Sequence, residues 1–246
     1  MSRSEKEGAA VSLPKRFYRE AAHEPGPEGE GWIVLLDGRP LRTPLKAPLR
    51  LPSAGLAQAV AREWDAQQER IDPNLMPLTR LANTALDRVR GRESEVADEI
   101  ARFAQSDLLC YRAQSPAGLA VAQCAQWDPI LEWYATEHAA RFTLAEGVMH
   151  VDQPEESVAF IREDLRRRDA FALSALHTIT TLTGSVLLAL AHAHGRLDAD
   201  AVWSAAHVDE DWQISQWGED REAAERRKFL RSEMMAASRF LALLTD

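Results

Sequence analysis

The stretch DEDWQISQWGEDREAAERR, Asp209 to Arg227, crowds carboxylates around two tryptophans and then turns basic. Paired carboxylates can act as general acid and base when they are held at a defined separation across a substrate-sized cleft. The candidates are Asp209, Glu210 and Asp211 before Trp212, and Glu219 with Asp220 after Gly218. Their spacing sets no such separation, and acidic residues at a helix start are also what the helix dipole favours. A small carboxylate-dependent hydrolase or lyase using Glu219 and Asp220 is one reading. The others are a docking surface for another protein, or an ordinary helix whose tryptophans face inward.

Other chemistry is thinly represented. No nucleophile elbow, phosphate loop or zinc helix is present. The glycines of GPEGEG, Gly26, Gly29 and Gly31, stand in the wrong order for a dinucleotide fingerprint and precede a strand, so a turn is expected. His192 and His194 diverge by about 200° on a helix and read as imidazoles at an exposed helix end. His177 reads as a hydrogen-bonded core histidine. Cys110, in DLLCYRA, could be a nucleophile only with a histidine brought near it, and otherwise serves as a small buried apolar residue. No catalytic, cofactor-binding or metal-binding residue is assigned.

The elements that would position these residues fall into two regions. Residues 1–13 are expected to form a disordered tail. From residue 14 to Pro52 short strands are predicted: a run containing Phe17 and Tyr18, a turn at EPGPEGEG, a strand at WIVLL and a tight turn at DGRP. Pro40, Pro44, Pro48 and Pro52 forbid helix there. From Ser53 the period changes to three and four. Ser53 is the N-cap of a helix placing Leu56, Val60 and Trp64 on one face, which makes Trp64 a structural residue.

Further helices follow. One carries Leu78, Leu81, Ala85 and Val89 and stops at Gly91, and another begins at Ser94. WDPILEWYATEHAARF reads as a helix start, with Asp128 as N-cap and Pro129 as first helical residue. PEESVAFIREDLRRRD gives a helix with Val158, Ile161 and Leu165. A helix from Asp198 or Asp200, a break at Gly218 and a last helix carrying Leu230, Met234, Ala237 and Leu241 complete the chain. The expected fold class is α+β: a small β-rich N-terminal unit, 14–52, then a larger all-helical domain, 53–246.

Composition excludes several partners. The chain has 246 residues, 46% of them hydrophobic, and a net charge of −9. That argues against nucleic acid, since phosphate binding needs a basic face, and RRRD at Arg166–Asp169 reads as a helix C-terminus. Cys110 and Cys124 provide neither a disulfide framework nor metal spacing, which fits a reducing compartment. Phe171 to His194 lacks Asp, Glu, Lys and Arg and is long enough to span a bilayer. Its threonines, serines and histidines favour a buried central helix instead. The first residues hold no apolar signal core, and Glu5 and Glu7 are unlike a transit peptide. A bacterial cytoplasmic protein is expected, or a processed protein of the mitochondrial matrix.

Eight strings in order carry a resemblance: KRFY, LDGRPLRTP, EWDAQ, MPLTRLANTALD, SDLLCYRA, QWDPIL, GSVLLALA and DEDWQISQWGEDREAAERR. Together, from Lys15 to about Glu233, they resemble the F-type ATP synthase assembly chaperones that escort the free α subunit. The resemblance implies a small β-rich part and a larger helical part, no cofactor and no small-molecule substrate. It also implies one client, the α subunit, whose surface awaiting its β neighbour is an aggregation hazard. An acidic surface with tryptophan anchors suits reversible capture. Trp212, Trp217, Glu219, Asp220 and Glu222 are the candidate partner-binding residues, with Glu219, Glu222 and Ala223 expected on one side of a helix. Trp212 can instead be a core residue, and Trp217, next to Gly218 at a helix break, is the better exposed candidate.

Overall fold

The structure, a computed structural model, describes residues 13–147 and 149–245. The expected tail, 1–13, lies outside the described residues except for Leu13. Strand β1 (Ala21–Pro25) pairs antiparallel with β2 (Trp32–Leu36) across the glycine-rich turn. Strand β2 also pairs with β3 (Arg39–Pro40) and β4 (Arg50–Leu51), so β1 and β3 lie at the edges of a small antiparallel sheet. The β2–β3 reversal puts Asp37 and Gly38 at φ 47° and 76°, the paired left-handed conformation that an Asp-Gly hairpin turn requires.

Phe17 and Tyr18 are not in a strand, contrary to the sequence expectation. Side chains hold that segment against the end of the next helix instead. Tyr18 Oη donates to the Trp64 carbonyl (2.6 Å), and the Arg16 guanidinium donates to the carbonyls of Arg19 (2.7 Å) and Asp65 (3.1 Å).

Helix α1 (Ala54–Asp65) starts where the period changes, with Ser53 Oγ accepting the Leu56 N–H (3.1 Å). The same hydroxyl donates to the carbonyl of Leu243, close to the other end of the described chain. Leu56 and Val60 are fully buried and Trp64 is half-buried, packed on both the sheet and the helical core. Val34 and Leu51 of the sheet, with Leu49 just before β4, join that core directly. Helix α2 (Pro77–Thr84) has no side-chain cap of its own. Glu63 of α1 supplies one, its carboxylate accepting the N–H groups of Leu78 and Thr79 (both 2.8 Å). Burial raises the Glu63 carboxyl above its ordinary value against those bonds.

A π-turn, Ala85–Val89, leads to α3 (Glu93–Ala101), and a two-residue strand, β5 (Tyr111–Arg112), precedes α4 (Ala117–Glu137). Here the sequence expectation is corrected. Asp128 caps nothing and Pro129 lies inside α4, so the helix begins twelve residues earlier than the proline suggests. Proline costs a helix one N–H, but burial of Gln123, Trp127, Ile130 and Tyr134 on the same helix outweighs that loss. Trp127 Nε1 donates to Ala205 O (2.7 Å) and Tyr134 Oη to Leu187 O (2.8 Å). Asp128 instead pairs with the buried Arg112 (2.8 Å).

Strand β6 (Ala145–Glu146) pairs parallel with β5, a small ladder within the otherwise helical region. Helix α5 (Glu155–Arg166) follows. The uncharged segment forms two helices, α6 (Ala170–Thr183) and α7 (Val186–Ala193), not one. Gly184 takes φ 69° at the break, and Ser185 caps α7 by accepting the Leu188 N–H (3.0 Å). Asp107, fully buried, fixes this break by accepting Ser185 Oγ–H (2.7 Å) and Leu187 N–H (3.1 Å). Its desolvation outweighs those bonds and raises its carboxyl to about 6. Among the described residues, no helix is long and apolar enough to cross a membrane.

Helix α6 is the centre of the helical layer, flanked by α2, α3, α7, α8 (Ala199–Ala206) and α10 (Arg221–Ala242). His177 on α6 is half-exposed opposite Glu99, 3.9 Å away, and is no core histidine. His192 is partly buried, bonded to Leu197 O (2.8 Å) and Ser238 Oγ (2.9 Å), while His194 is exposed beside Asp164. The remaining helix, α9 (Val208–Trp217), leans on α4.

Candidate functional site

Helices α9 and α10 form a hairpin, and each part of it has an identifiable anchor. The chain enters through Trp203 and His207, whose rings stack at 3.6 Å, and through the buried Val208. Gln123 of α4, 1% exposed, joins two segments: its Oε1 accepts the Ala113 N–H (2.8 Å) and its Nε2 donates to Asp209 Oδ1 (2.7 Å). One turn on, the six-membered ring of Trp212 covers Gly118 of α4 so closely that a Cβ there would stand 3.0 Å from Cζ2 and Cζ3. Only glycine leaves room for that approach.

Gly218 breaks the helix at φ 83° and reverses the chain. Asp220 then caps α10, its Oδ1 accepting the Ala223 N–H (3.0 Å). From the second turn of α10, Arg227 reaches back to Asp211 and Glu210 on α9 while its guanidinium lies 5.9 Å from the Trp203 ring. Its side chain is only 16% exposed, so these charge-assisted bonds are partly shielded from solvent and clamp the two helices together.

The five residues expected to bind a partner are thus divided. Trp212 is half-buried on α4, whereas Trp217 is 80% exposed at the end of α9. Trp217, Glu219 and Asp220 line one groove of about 280 Å³ with Ile214, Ala223 and Arg227. Glu222 is exposed on the first turn of α10. Glu219 stands one residue before the Asp220 cap, outside the helix, so it does not share a helical side with Glu222 as the three-residue spacing suggests. Glu219, Asp220 and Glu222 make no ion pair among the described residues, while Asp211 and Glu210 are engaged by Arg227. Gly118, Gln123 and Arg227 were not singled out from sequence. Starting α4 at Asp128 leaves the first two outside the helix, which removes the one signal, a helical glycine facing a tryptophan.

The arrangement supports contact better than catalysis. Glu219 and Asp220 open directly to solvent, and no nucleophile lines their groove. Burial pushes the Cys110 thiol up to about 12, far from a reactive thiolate. Among the described residues no cluster of three or more His, Cys, Asp or Glu could hold a metal.

Comparison with known proteins agrees with this geometry. A family model described as ATP12 chaperone protein matches residues 15–135. The crystal structure of Atp12 from Paracoccus denitrificans superposes with a TM-score of 0.87 at 42% identity, covering 94% of this chain and 98% of that one. The chain belongs to the ATP12 chaperone family.

The resemblance carried by the eight strings is borne out. A point variant of the Paracoccus denitrificans Atp12 matches at a TM-score of 0.88 and 41% identity, covering 95% and 100% of the two chains. A candidate chaperone from Agrobacterium tumefaciens matches at 0.90 and 48%, covering 94% and 87%. These members share the α+β architecture along nearly the whole chain. The ATP12 family model itself ends at residue 135, before the α9–α10 hairpin begins.

Proposed function

We propose that this protein is a dedicated chaperone of F-type ATP synthase assembly that binds the free α subunit of the catalytic head. It covers the surface that the β neighbour will later occupy, and releases it when β arrives. The observation that carries the reading is Trp217: a large apolar side chain, 80% exposed, on a hairpin pinned from three sides. Leaving such a ring in water is unfavourable, and a rigid aromatic beside free carboxylates is what a contact point needs. Membership of the ATP12 chaperone family supports the same conclusion.

Trp217 is the anchor in this reading, and Glu219, Asp220 and Glu222 supply steering and register. Trp212 acts through its grip on α4. The protein turns over no small molecule, binds no nucleic acid and inserts into no membrane. It works in the bacterial cytoplasm, or in the mitochondrial matrix if it is a processed organellar protein.

Charge reversal provides the test. Glu219→Lys with Glu222→Lys should slow capture of purified α subunit and change its dependence on ionic strength, because rim charges act mainly on association rate. Both side chains are exposed, so the fold should persist, although lysines at the N-terminus of α10 should cost the free protein about 1 kcal/mol through the helix dipole. Unchanged capture at low and high salt, with the fold intact, would return the hairpin to an ordinary solvated surface.

A further inference from the structure

A second surface lies in the N-terminal region, where a groove of about 590 Å³ runs between the sheet and the end of α1. Its floor is Tyr18 and Leu36, each 5% exposed, with the Trp64 ring 5.7 Å from that of Tyr18. Phe17 forms one wall, edge-on to Tyr18 at 5.4 Å, and is itself 73% exposed. The Trp64 indole N–H is buried and has no acceptor among the described residues.

The rim is cationic although the chain carries −9 overall. Arg39 is exposed and makes no ion pair among the described residues. Arg42 gives one nitrogen to the Lys46 carbonyl (2.9 Å) and is otherwise free. The one carboxylate lining the groove, Asp37, has its Oδ1 occupied by the N–H groups of Arg19 (2.9 Å) and Glu20 (3.1 Å). Along β3 the backbone offers little, because it is a two-residue edge strand and Pro40 has no N–H. Recognition here must come from side chains.

We propose that this groove docks an extended acidic segment of a partner protein. One aromatic or aliphatic side chain sits on Tyr18 and Trp64, and flanking Asp or Glu side chains pair with Arg39 and Arg42. The charge of the rim selects this occupant: planar guanidinium groups hold carboxylates in a fixed geometry, and a basic segment would meet repulsion. The inference rests on the groove alone and stands whichever protein the α9–α10 hairpin captures.

The probe is an acetylated and amidated peptide alternating glutamate with leucine around a central phenylalanine, with its lysine counterpart as control. Both are titrated into the full-length protein while the indole N–H resonances are followed, that of Trp64 being assigned by its loss in Trp64→Phe. The acidic peptide should move the Trp64 signal and the lysine peptide should not. Arg39→Glu with Arg42→Glu should weaken binding by about tenfold or more at an unchanged melting temperature, both side chains being exposed. An unmoved Trp64 signal, equal binding of the lysine peptide or undiminished binding to the double variant overturns the proposal. So does displacement of the peptide by inorganic triphosphate at equal concentration, which identifies a small-anion site. Self-association that the arginine substitutions abolish makes the groove a dimer contact and equally overturns it.

Discussion

Replacing Gly118 by alanine should loosen the whole α9–α10 hairpin, and the effect should reverse sign when Trp212 is absent. The added Cβ would stand 3.0 Å from two ring carbons of Trp212 and closer still to Cη2, where ordinary contact is between 3.4 and 4 Å. The ring must leave its seat or carry α9 with it. Overpacking of this kind costs about 1–3 kcal/mol, against which a helical Gly→Ala change returns up to about 1 kcal/mol. Gly118 lies in the first turn of α4, where that return is smaller. A net loss of about 1–2 kcal/mol should lower the melting temperature by several degrees, at roughly 2–4 °C per kcal/mol for a domain of this size. In a Trp212→Ala background the clash is gone, and Gly118→Ala should be neutral or slightly stabilising. The assay is a double-mutant cycle by thermal and urea unfolding, with tryptophan fluorescence of each native state, and the expected coupling is about 1–3 kcal/mol. Equal effects of Gly118→Ala in the two backgrounds would refute the idea that this glycine exists to seat Trp212.

Other expectations can be tested with the same preparations. Glu219→Gln should leave the fold intact and abolish no small-molecule turnover; a hydrolase or lyase activity lost in this variant at unchanged melting temperature would restore the catalytic reading. Asp107 holds its proton more tightly folded, at about 6, than its ordinary value of 3.8. Its contribution to stability is therefore fullest below about pH 4, falls as pH rises through the window to about 6, and is lost above it. Two units correspond to about 3 kcal/mol, and the slope should disappear from denaturation curves of Asp107→Asn between pH 4 and 7. Pro129→Ala restores an N–H inside α4 and should stabilise by about 1–3 kcal/mol, read as a raised urea midpoint; a lowered midpoint would mean that the ring is packed better than its missing hydrogen bond suggests.

Much of the architecture is legible because local signals and burial agree. Ser53, Asp198 and Asp220 each accept the helical N–H that a cap should, and the stripe of Met234 and Ala237 is buried. The failures occur where distant packing overrides a local signal. Asp128-Pro129 is a sound helix start in isolation, yet Trp127 and Tyr134 reach Ala205 and Leu187, and their burial carries the helix through. Gly184 was hidden inside an apolar run whose period continues across it, and the buried Asp107 that fixes the break comes from a different part of the chain. For the hairpin, exposure of Trp217 beside a helix-breaking glycine could be inferred. The division of labour between Trp217 and Trp212 could not, since it depends on a glycine of α4 that no pattern in α9 announces.

The bond from Ser53 to Leu243 joins residues 190 positions apart, and it has a temporal meaning. At roughly 5–20 residues per second, on the order of ten to forty seconds separate the synthesis of the two partners. In the last part of that interval α6 exists without the helix that covers it, and Phe171 waits about 3–14 seconds for Phe240, its stacking partner at 6.3 Å. The nascent chain therefore leaves the ribosome with an open apolar flank that no earlier element can close. A member of a chaperone family is, while being made, itself in need of protection.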